Sequence, residues 1–500
     1  MDPWLTGDAD AAETATAVRS GFVTAREVVE AAIVRAEAAN RRLSFLVTER
    51  FEQAAEEAAS LGAAGPLAGV PVLTKDFLAT VAGLPQTEGS SFIREWIADH
   101  DSEYVARLRR AGAIVIGTTT TSEMALLSTC ETARFGVTHN PAAPGRTTGG
   151  SSGGSASAVA ARVVPAAHGS DAGGSIRIPA SCCGLIGLKP TRARNPLGPD
   201  HGDVAAGLWV EHVLTRSVRD SALFLDVTHG PALGDPYAAP APRGLFRDAV
   251  SHAPSRQRVA VTVDTLDGRK SAPECIRAVE RTAAALVDLG HDVVEGAPCV
   301  EVRQAEADFF LLLCAGLAAR VEMWSRRLGR QPCGDDLEPY TWGLLEKGRA
   351  VSGVQLLDAI DRLQHCARDV ARFYEKVDIW LTPTLGTPPV PLGYFEIGDD
   401  ETPDDVLDRD ARFTPFLWIA NMTGQPALSY PAYRDADGVP IGVQLSARVG
   451  DEETLLAVAA QLEQAISGTS PLQPASSATT FDEGAESASR LPSPRRPKET

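Results

Sequence analysis

The first part of the chain carries apolar residues at helical spacing. Residues 11–63 are predicted to be helical, and two helices can be delimited within them. The first begins at a capping box, in which Thr24 is followed three residues later by Glu27 ahead of an amphipathic run. The second is predicted from about Phe51 to Leu61. The whole segment is therefore expected to be helical, although the pattern alone does not fix its place in the fold.

A short apolar segment next predicts a strand with a lysine at its end. Residues Gly69–Thr74 lead directly into Lys75. Side chains alternate between the two faces of a strand, so Leu73 and Lys75 share a face, and a buried leucine directs the lysine inward as well. A lysine at a strand end ordinarily extends toward water, and this segment alone would favour that interpretation. Only the serine-containing motifs described below favour an inward lysine.

Helices and strands alternate along much of the remaining chain, which predicts an α/β fold with a parallel or mixed sheet. The predicted helices are Asp101–Gly112, Ser217–His229 and Glu274–Leu289, and the predicted strands are Ala113–Thr119, Arg258–Val263, His291–Glu295 and Val377–Pro383. The region from Glu301 to about Lys376 is mostly helical in pattern. The acidic stretch Asp399–Asp410 is expected to be a solvated loop.

Two clusters of glycine and serine stand out between Arg146 and Thr191. The first, residues 149–154, precedes an alanine-rich helix former, which would place the Ser151 hydroxyl at a helix N-terminus with free N–H donors. The second, Gly173–Ser175, follows a strand-like run, and a turn there would expose consecutive backbone N–H groups. A hydroxyl beside converging N–H donors is how a nucleophile with oxyanion stabilisation is built.

Other interpretations of these clusters fit less well. Residues 149–153 satisfy the Gly-x-Ser-x-Gly elbow of α/β-hydrolases, with Ser151 as the nucleophile, but an elbow follows a buried strand and Pro144–Thr148 is not strand-like. A phosphate-binding loop would need a following Gly-Lys-Ser or Gly-Lys-Thr, which is missing. A flexible Gly-Ser linker would explain one cluster, but not two clusters together with the lysine strand.

The two clusters resemble the sequence signature of the amidase signature family. Residues 149–155 read Gly-Gly-Ser-Ser-Gly-Gly-Ser, and residues 171–179 read Asp-x-Gly-Gly-Ser-Ile-Arg-x-Pro. Ser151 and Ser175 lie 24 positions apart (175 minus 151), which is similar to the family's spacing. The segment Gly69–Asp76 resembles the family's lysine-bearing strand.

This resemblance implies a set of roles. Ser175 would be the nucleophile, Ser151 a relay serine in a cis peptide, and Lys75 the base. Asp171 and Arg177 are expected to brace the turn rather than contact substrate. The backbone N–H groups of four residues would form the oxyanion hole: Ala172, Gly173, Gly174 and Ser175. The fold implied is an amidase-signature α/β/α fold, with a large mixed central sheet flanked by helices.

The resemblance extends over most of the chain. It implies one domain over residues 1–466, in which the helical region of about 301–376 shapes the substrate site, and a tail over residues 467–500. The tail is rich in serine, proline and glutamate and is expected to be disordered. The group most similar within the family is that of the 6-aminohexanoate cyclic dimer hydrolases. Three residues are implied near the substrate: Met124, Ala125 and Cys314.

Apolar runs in the helical region and near the C-terminus predict a compact, largely apolar substrate pocket. One side of the predicted helix around residue 314 combines four residues at helical spacing: Phe310, Leu313, Cys314 and Leu317. The segment Phe413–Ile419 supplies a second apolar wall.

Composition and charge limit the partners. The net charge of −18, without a visible basic stripe, argues against nucleic acid as a partner. The opening Met1–Trp4 lacks a secretory signal, and the apolar run Phe309–Ala319 is too short to cross a membrane. A cytoplasmic protein with eight reduced cysteines is therefore expected. Neither a metal nor another cofactor is expected, because no metal-binding spacing is visible, and homodimer formation stays open.

A serine hydroxyl needs a base, and Lys75 can serve only when burial lowers its pKa enough to leave it neutral. The predicted function is hydrolysis of a small linear, cyclic or aryl carboxamide through an acyl-enzyme on Ser175. The alternative is the glutaminase subunit of a transfer-RNA-dependent amidotransferase, which shares the triad but requires a partner subunit. A non-enzymatic descendant is disfavoured by the intact triad.

Overall fold

A large mixed sheet runs through the protein, whose structure, a computed structural model, describes residues 2–62, 64–94 and 96–467. Within these ranges the strands are β1 (Leu46–Glu49), β2 (Pro71–Lys75), β3 (Ile114–Thr119), β4 (Glu131–Thr132), β5 (Gly136–Val137), β6 (Ala166–Asp171), β7 (Ile186–Lys189), β8 (Val210–Thr215), β9 (Arg258–Val261), β10 (Asp292–Glu295), β11 (Ile379–Pro383), β12 (Ala427–Arg434) and β13 (Pro440–Ala447). Eleven of them form one sheet in the order β1-β3-β2-β6-β8-β7-β12-β13-β11-β9-β10, while β4 and β5 pair separately.

Helices cover both faces of this sheet. They are α1 (Pro3–Thr6), α2 (Ala11–Arg19), α3 (Ala25–Leu43), α4 (Phe51–Ser60), α5 (Glu103–Arg110), α6 (Gly153–Ala160), α7 (Arg177–Cys183), α8 (Val218–Thr228), α9 (Phe246–Ala249), α10 (Pro273–Asp288), α11 (Val302–Leu328), α12 (Pro339–Ala350), α13 (Gly353–Phe373), α14 (Pro403–Phe413), α15 (Leu417–Thr423) and α16 (Glu452–Ser467). Two short 3₁₀ turns lie at Glu123–Ala125 and Gly334–Asp336.

Strand β2 shows how the apolar pattern produces this architecture. Its five residues are all buried. Leu73 packs with residues of α3 on one face, whereas Val72 packs with residues of α5 and α8 on the other. A strand buried on both faces reads as a continuous apolar run, which is the pattern of the segment that ends at Lys75.

The topology brings two strand ends together at one edge. Strand β2 pairs in parallel with both β3 and β6. Parallel neighbours finish at the same edge of a sheet, so Lys75, the last residue of β2, emerges beside Asp171, the last residue of β6. The second glycine-serine cluster follows Asp171 directly and therefore lies at this edge.

Several predictions from the sequence are confirmed. The fold is α/β, with a large mixed central sheet flanked by helices. Helix α3 begins at the predicted capping box, where the Glu27 amide donates to Thr24 Oγ1 at 3.2 Å and the Thr24 amide donates to Glu27 Oε2 at 2.9 Å. The predicted helical region 301–376 contains α11, α12 and α13.

The expectation that residues 11–63 are entirely helical is wrong, because β1 lies between α3 and α4 and pairs antiparallel with β3. Helix α3 ends where Ser44 adopts a left-handed conformation. The Asn40 side-chain oxygen then accepts hydrogen bonds from the amides of Phe45 and Leu46, at 2.9 and 3.0 Å, and directs the chain toward the sheet edge. This contact depends on a side chain, so the helical pattern before it gives no warning.

The expectation of a solvated loop over Asp399–Asp410 is also wrong, because most of it forms α14. Thr402 and Asp405 form a capping box at its start, where the Thr402 amide donates to Asp405 Oδ2 at 2.8 Å. Acidic residues in a first turn favour a helix through its dipole. Val406 and Phe413 are buried and anchor the helix to the core.

No helix in the part of the chain that the structure describes is long and apolar enough to cross a membrane. All eight cysteines are free. The predicted tail lies, from residue 468 onward, outside the described residues.

Candidate active site

Lys75 is completely buried at the sheet edge and surrounded by hydroxyl groups. Its Nζ donates to Ser151 Oγ at 2.6 Å and to Ser170 Oγ at 2.9 Å. Its backbone amide donates to His168 Nδ1 at 3.3 Å. Among the described residues, no carboxylate lies within ion-pair distance of Nζ. The lysine is therefore held by neutral acceptors, which a neutral amine can also use.

Burial controls the protonation of this lysine. It lowers the pKa of Lys75 from 10.5 to about 7, and the Cys130 thiol and the Asp171 and Glu211 carboxyls oppose the shift only in part. Burial disfavours the charged form of an amine, which explains the direction. Near neutral pH a large fraction of Lys75 is therefore unprotonated and able to accept a proton.

Ser151 lies just before helix α6 and is completely buried. The Gly150–Ser151 peptide bond is cis, as the family resemblance implies. Only glycine fits at position 150, because a Cβ there would lie 2.3 Å from the Thr129 amide nitrogen. The residues just before Ser151 form isolated bridges at Arg146 and Thr147 and no strand, so the α/β-hydrolase elbow lacks its strand.

The turn that carries Ser175 is fixed by the buried Asp171 carboxylate. Asp171 accepts hydrogen bonds from the amides of Gly174 at 2.9 Å and Ile176 at 3.2 Å. It also pairs with Arg177, whose Nη2 donates to Oδ1 at 2.8 Å and whose Nε donates to Oδ2 at 3.0 Å. The arginine keeps the pKa of Asp171 at about 2 despite its burial, so the brace stays ionised. Asp171 and Arg177 thus stabilise the turn, as expected from the sequence.

The backbone N–H groups of this turn differ in availability. The Gly174 N–H already donates to Asp171. Those of Ala172, Gly173 and Ser175 donate no hydrogen bond to any residue that the structure describes. The Ser175 carbonyl accepts from the Ser152 amide at 3.3 Å, which holds the second cluster against the first. Three of the four predicted oxyanion donors are therefore free to meet a ligand.

Ser175 opens onto a cavity, here named the inner cavity, whose walls are mostly apolar. Its lining combines the turn with residues from α7, α11, α12, α14 and α15, from the first 3₁₀ turn and from the segment that follows that turn. The lining residues are Ala125, Leu126, Leu127, Ser128, Ala172, Gly173, Ser175, Ile178, Glu306, Phe309, Phe310, Leu313, Tyr340, Asp410, Ala411, Thr414 and Trp418.

Of the three residues predicted near the substrate, only Ala125 lines the inner cavity, and Met124 and Cys314 do not. Ala125 lines the inner cavity, whereas Met124 is buried beside it without contributing to the lining. Cys314 is also buried and lies outside the lining. It packs where α11 meets α12 so closely that a Cβ added to Gly348 would lie 2.0 Å from the Cys314 carbonyl oxygen. Burial raises the pKa of the Cys314 thiol to about 11, so the thiol is mainly protonated near neutral pH.

The predicted apolar face of α11 is rotated relative to the cavity. Phe310 and Leu313 line it, but Cys314 and Leu317, which lie further along the helix, are absent from the lining and pack in the core. Phe309, one position earlier, lines the cavity as well. One step along a helix turns by about 100°, so a pattern of four residues cannot fix which flank faces a ligand.

Three residues of the site escaped the sequence analysis. Ser170 contacts the lysine amine, and Asp410 and Trp418 line the cavity. Ser170 and His168 lie two residues apart on β6 and share a face of that strand. This spacing indicates Ser170 as a neighbour of Lys75 only when the pairing of β6 with β2 is known. Asp410 was hidden by the interpretation of its segment as a loop.

This fold and this arrangement of residues define a class of enzyme: the chain belongs to the amidase family, whose model, described as Amidase, matches residues 27–456. It is an amidase, a hydrolase that acts on carbon–nitrogen bonds. A 6-aminohexanoate-cyclic-dimer hydrolase of Pseudomonas sp. (strain NK87) is 37% identical to it over 468 residues, which cover 91% of this chain and 94% of the relative. A putative amidase AmiC of Mycobacterium tuberculosis (strain ATCC 25618 / H37Rv) is 39% identical over 465 residues, covering 92% and 95%.

A solved structure of 6-aminohexanoate cyclic dimer hydrolase complexed with substrate superimposes with a TM-score of 0.87 at 36% identity, covering 93% of this chain and 98% of that chain. A bacterial aryl acylamidase superimposes with a TM-score of 0.82 at 26% identity, covering 91% and 96%. These similarities confirm the family and the group indicated by the sequence motifs.

Proposed function

We propose that this amidase hydrolyses a small carboxamide through an acyl-enzyme on Ser175, with Ser151 as the proton relay and Lys75 as the base. One observation carries the proposal: the completely buried Lys75, with a pKa of about 7, donates to Ser151 Oγ at 2.6 Å beside the turn that presents Ser175. A lysine in this state can take a proton at neutral pH, and the amidase relatives supply the reaction class.

The proton path begins with neutral Lys75. It removes the proton of Ser151 as Ser151 removes that of Ser175, whose Oγ forms a bond to the amide carbonyl carbon. The carbonyl oxygen becomes an oxyanion, which the N–H groups of Ala172, Gly173 and Ser175 are free to stabilise. As the carbon–nitrogen bond breaks, the proton returns through Ser151 to the leaving amine. Water then attacks the acyl-enzyme by the same path and releases the acid.

The walls of the cavity favour a stand-alone amide hydrolase over a glutaminase subunit. Within the described part of the chain, no lysine or arginine lines the inner cavity. A site for glutamine would need a partner for its α-carboxylate, and burying an unpaired carboxylate is unfavourable. Small linear, cyclic or aryl amides do not carry that requirement.

The eight free cysteines support the accompanying proposal that the enzyme works in the cytoplasm.

The nucleophile is tested with a fluorophosphonate probe and mass spectrometry. A single adduct on Ser175 is expected, and Ser175→Ala should abolish both the adduct and hydrolysis across a panel of short amides, anilides and esters. Ser157→Ala is the matched control, because its hydroxyl lies on α6 and donates to the His139 carbonyl, away from the lysine. Labelling of Ser151 would instead support the elbow interpretation, and co-purification of a second subunit would favour the glutaminase.

A further inference from the structure

We propose that the preferred substrates are amides that also carry an ammonium group, which Asp410 recognises with help from Glu306 and the aromatic wall. This inference deepens the proposed function and rests on it, since it takes the inner cavity as the place where the amide binds. It assigns a substrate class to a site whose chemistry at Ser175 does not by itself select among small amides.

The Asp410 carboxyl forms no ion pair with a lysine or arginine among the residues that the structure describes. It lines the inner cavity, its Oδ1 is inaccessible to solvent, and that oxygen accepts no hydrogen bond from any described residue. Other acids of α14 are paired on the outer side of the helix: Asp408 with Arg412, and Asp404 with Lys347. No such ion pair forms at Asp410 in the described ranges, although α14 carries arginines nearby.

The raised pKa of the Asp410 carboxyl is consistent with an anion that lacks a counter-charge. Burial raises the pKa of Asp410 to about 6, opposed only by hydrogen bonds from Ser128. Above that pH the group is mainly an anion with one oxygen, Oδ1, cut off from solvent and without a donor, which is unfavourable in the absence of a counter-charge. A bound ammonium would supply both the charge and a donor for the free oxygen.

The neighbouring walls suit the same ligand. Phe309, Phe310 and Trp418 line the cavity together with Asp410, and aromatic faces attract organic cations. Trp418 is 6% exposed, so its ring is largely held in place by the surrounding protein. Glu306 lines the same cavity, with Arg269 at 4.0 Å as a distant partner.

The cavity next to the inner cavity also carries acidic residues in its lining. A second, larger cavity, here named the outer cavity, shares Leu127 and Tyr340 with the inner one and therefore adjoins it. Its lining includes three glutamates, Glu131, Glu338 and Glu396. In the described chain neither cavity has a lysine or arginine in its lining. Burial raises the pKa of Glu338 to about 7, so near neutral pH this glutamate carries only part of its charge. The remaining carboxylates near the two cavities disfavour an anionic amide and favour a cationic one.

The test compares three amides of similar length and different charge: 5-aminopentanamide, pentanamide and glutaramate. Their binding to Ser175→Ala protein is measured by titration calorimetry, which does not depend on turnover. We expect 5-aminopentanamide to bind at least about tenfold more tightly than pentanamide, as for one charge-assisted hydrogen bond, and glutaramate to bind least. Asp410→Asn in the same background should reduce the cation preference to about threefold or less.

Asp408→Asn is the matched control, because this acid lies on the same helix and faces outward, and it should keep the full preference. If Asp410→Asn does not fold, Glu306→Gln replaces it and should weaken the preference in the same direction. Equal or tighter binding of pentanamide, no measurable binding of 5-aminopentanamide, or a preference that Asp410→Asn leaves intact would overturn the inference.

Turnover by the wild-type enzyme separates the two proposals. Hydrolysis through Ser175 without a charge preference in binding overturns this inference and leaves the proposed function standing. A clear cation preference in binding without hydrolysis of any amide would overturn the proposed function and leave the assignment of the cation site.

Discussion

Replacing Lys75 with methionine should make the protein inactive and, at low pH, more stable. The side chains have similar length, so methionine can fill the space without the charge. Hydrolysis should fall by several orders of magnitude, because no other group contacts Ser151 Oγ as a base among the residues described. The effect on the free energy of unfolding depends on pH, because burial lowers the pKa of Lys75.

The folded-state pKa of Lys75, about 7, lies below its ordinary value of 10.5. Between these pH values the unfolded chain binds the extra proton, so the free energy of unfolding rises with pH across this window. A difference of about 3.5 between the two pKa values, at 1.36 kcal/mol for each, gives a penalty of about 5 kcal/mol that is complete below pH 7 and absent above pH 10.5. Methionine removes the penalty but loses the hydrogen bonds to Ser151 and Ser170, together about 2 kcal/mol.

Lys75→Met should therefore melt above the wild type at pH 6 and below it near pH 11. Differential scanning calorimetry at the two pH values measures this reversal. The matched control is Lys189→Met. Lys189 is also buried, and its burial also lowers its pKa to about 7, but its Nζ donates to the Pro190 carbonyl.

Both variants should show the same pH-dependent change in melting temperature, but only Lys75→Met should lose activity. In the wild type and in Lys189→Met, kcat/KM should rise with pH around a midpoint near 7, because protonated lysine is not a base. Wild-type activity that stays flat down to about pH 5, or a Lys189→Met enzyme without the acidic limb, would refute the assignment of Lys75 as the base.

Two further variants probe the neighbours of the site. Ser170→Ala removes an acceptor that favours the ammonium form of Lys75, so the acidic limb of kcat/KM should move below its wild-type midpoint, whereas Ser155→Ala, whose hydroxyl donates to the His168 carbonyl, should leave the midpoint in place. Cys314→Ala should lower the melting temperature through a small cavity worth about 1 kcal/mol and leave KM unchanged, because the residue is buried and lies outside the lining of the inner cavity; a changed KM with unchanged melting would support the substrate contact expected from the sequence.

The sequence could bring Lys75, Ser151 and Ser175 into one candidate site because each lies in a local motif that fixes its own backbone. Gly150 admits no side chain, and the Asp171 carboxylate shapes the turn before Ser175, so residue type and geometry are tied within a few positions. Ser170 could not be found in this way. Its role arises only when β6 lies beside β2, and a pairing between strands so far apart in the chain leaves no local trace.

The prediction of a solvated loop at α14 failed for a different reason, because the sequence of this segment does contain residues typical of a helix start. Charge density suggested a solvated loop, yet Thr402, Pro403 and Asp405 are typical of a helix start. Once the segment is taken as a helix, Val406, Asp410 and Phe413 fall on one face at spacings of four and three. Val406 and Phe413 are buried, so the helix carries the acid between them toward the interior. A carboxyl at an apolar position of a helix is unfavourable unless it has a partner or a ligand, and Asp410 has no cationic partner in the described chain. The same helical pattern that places the acid at the cavity is therefore also the reason to expect a cation in front of it.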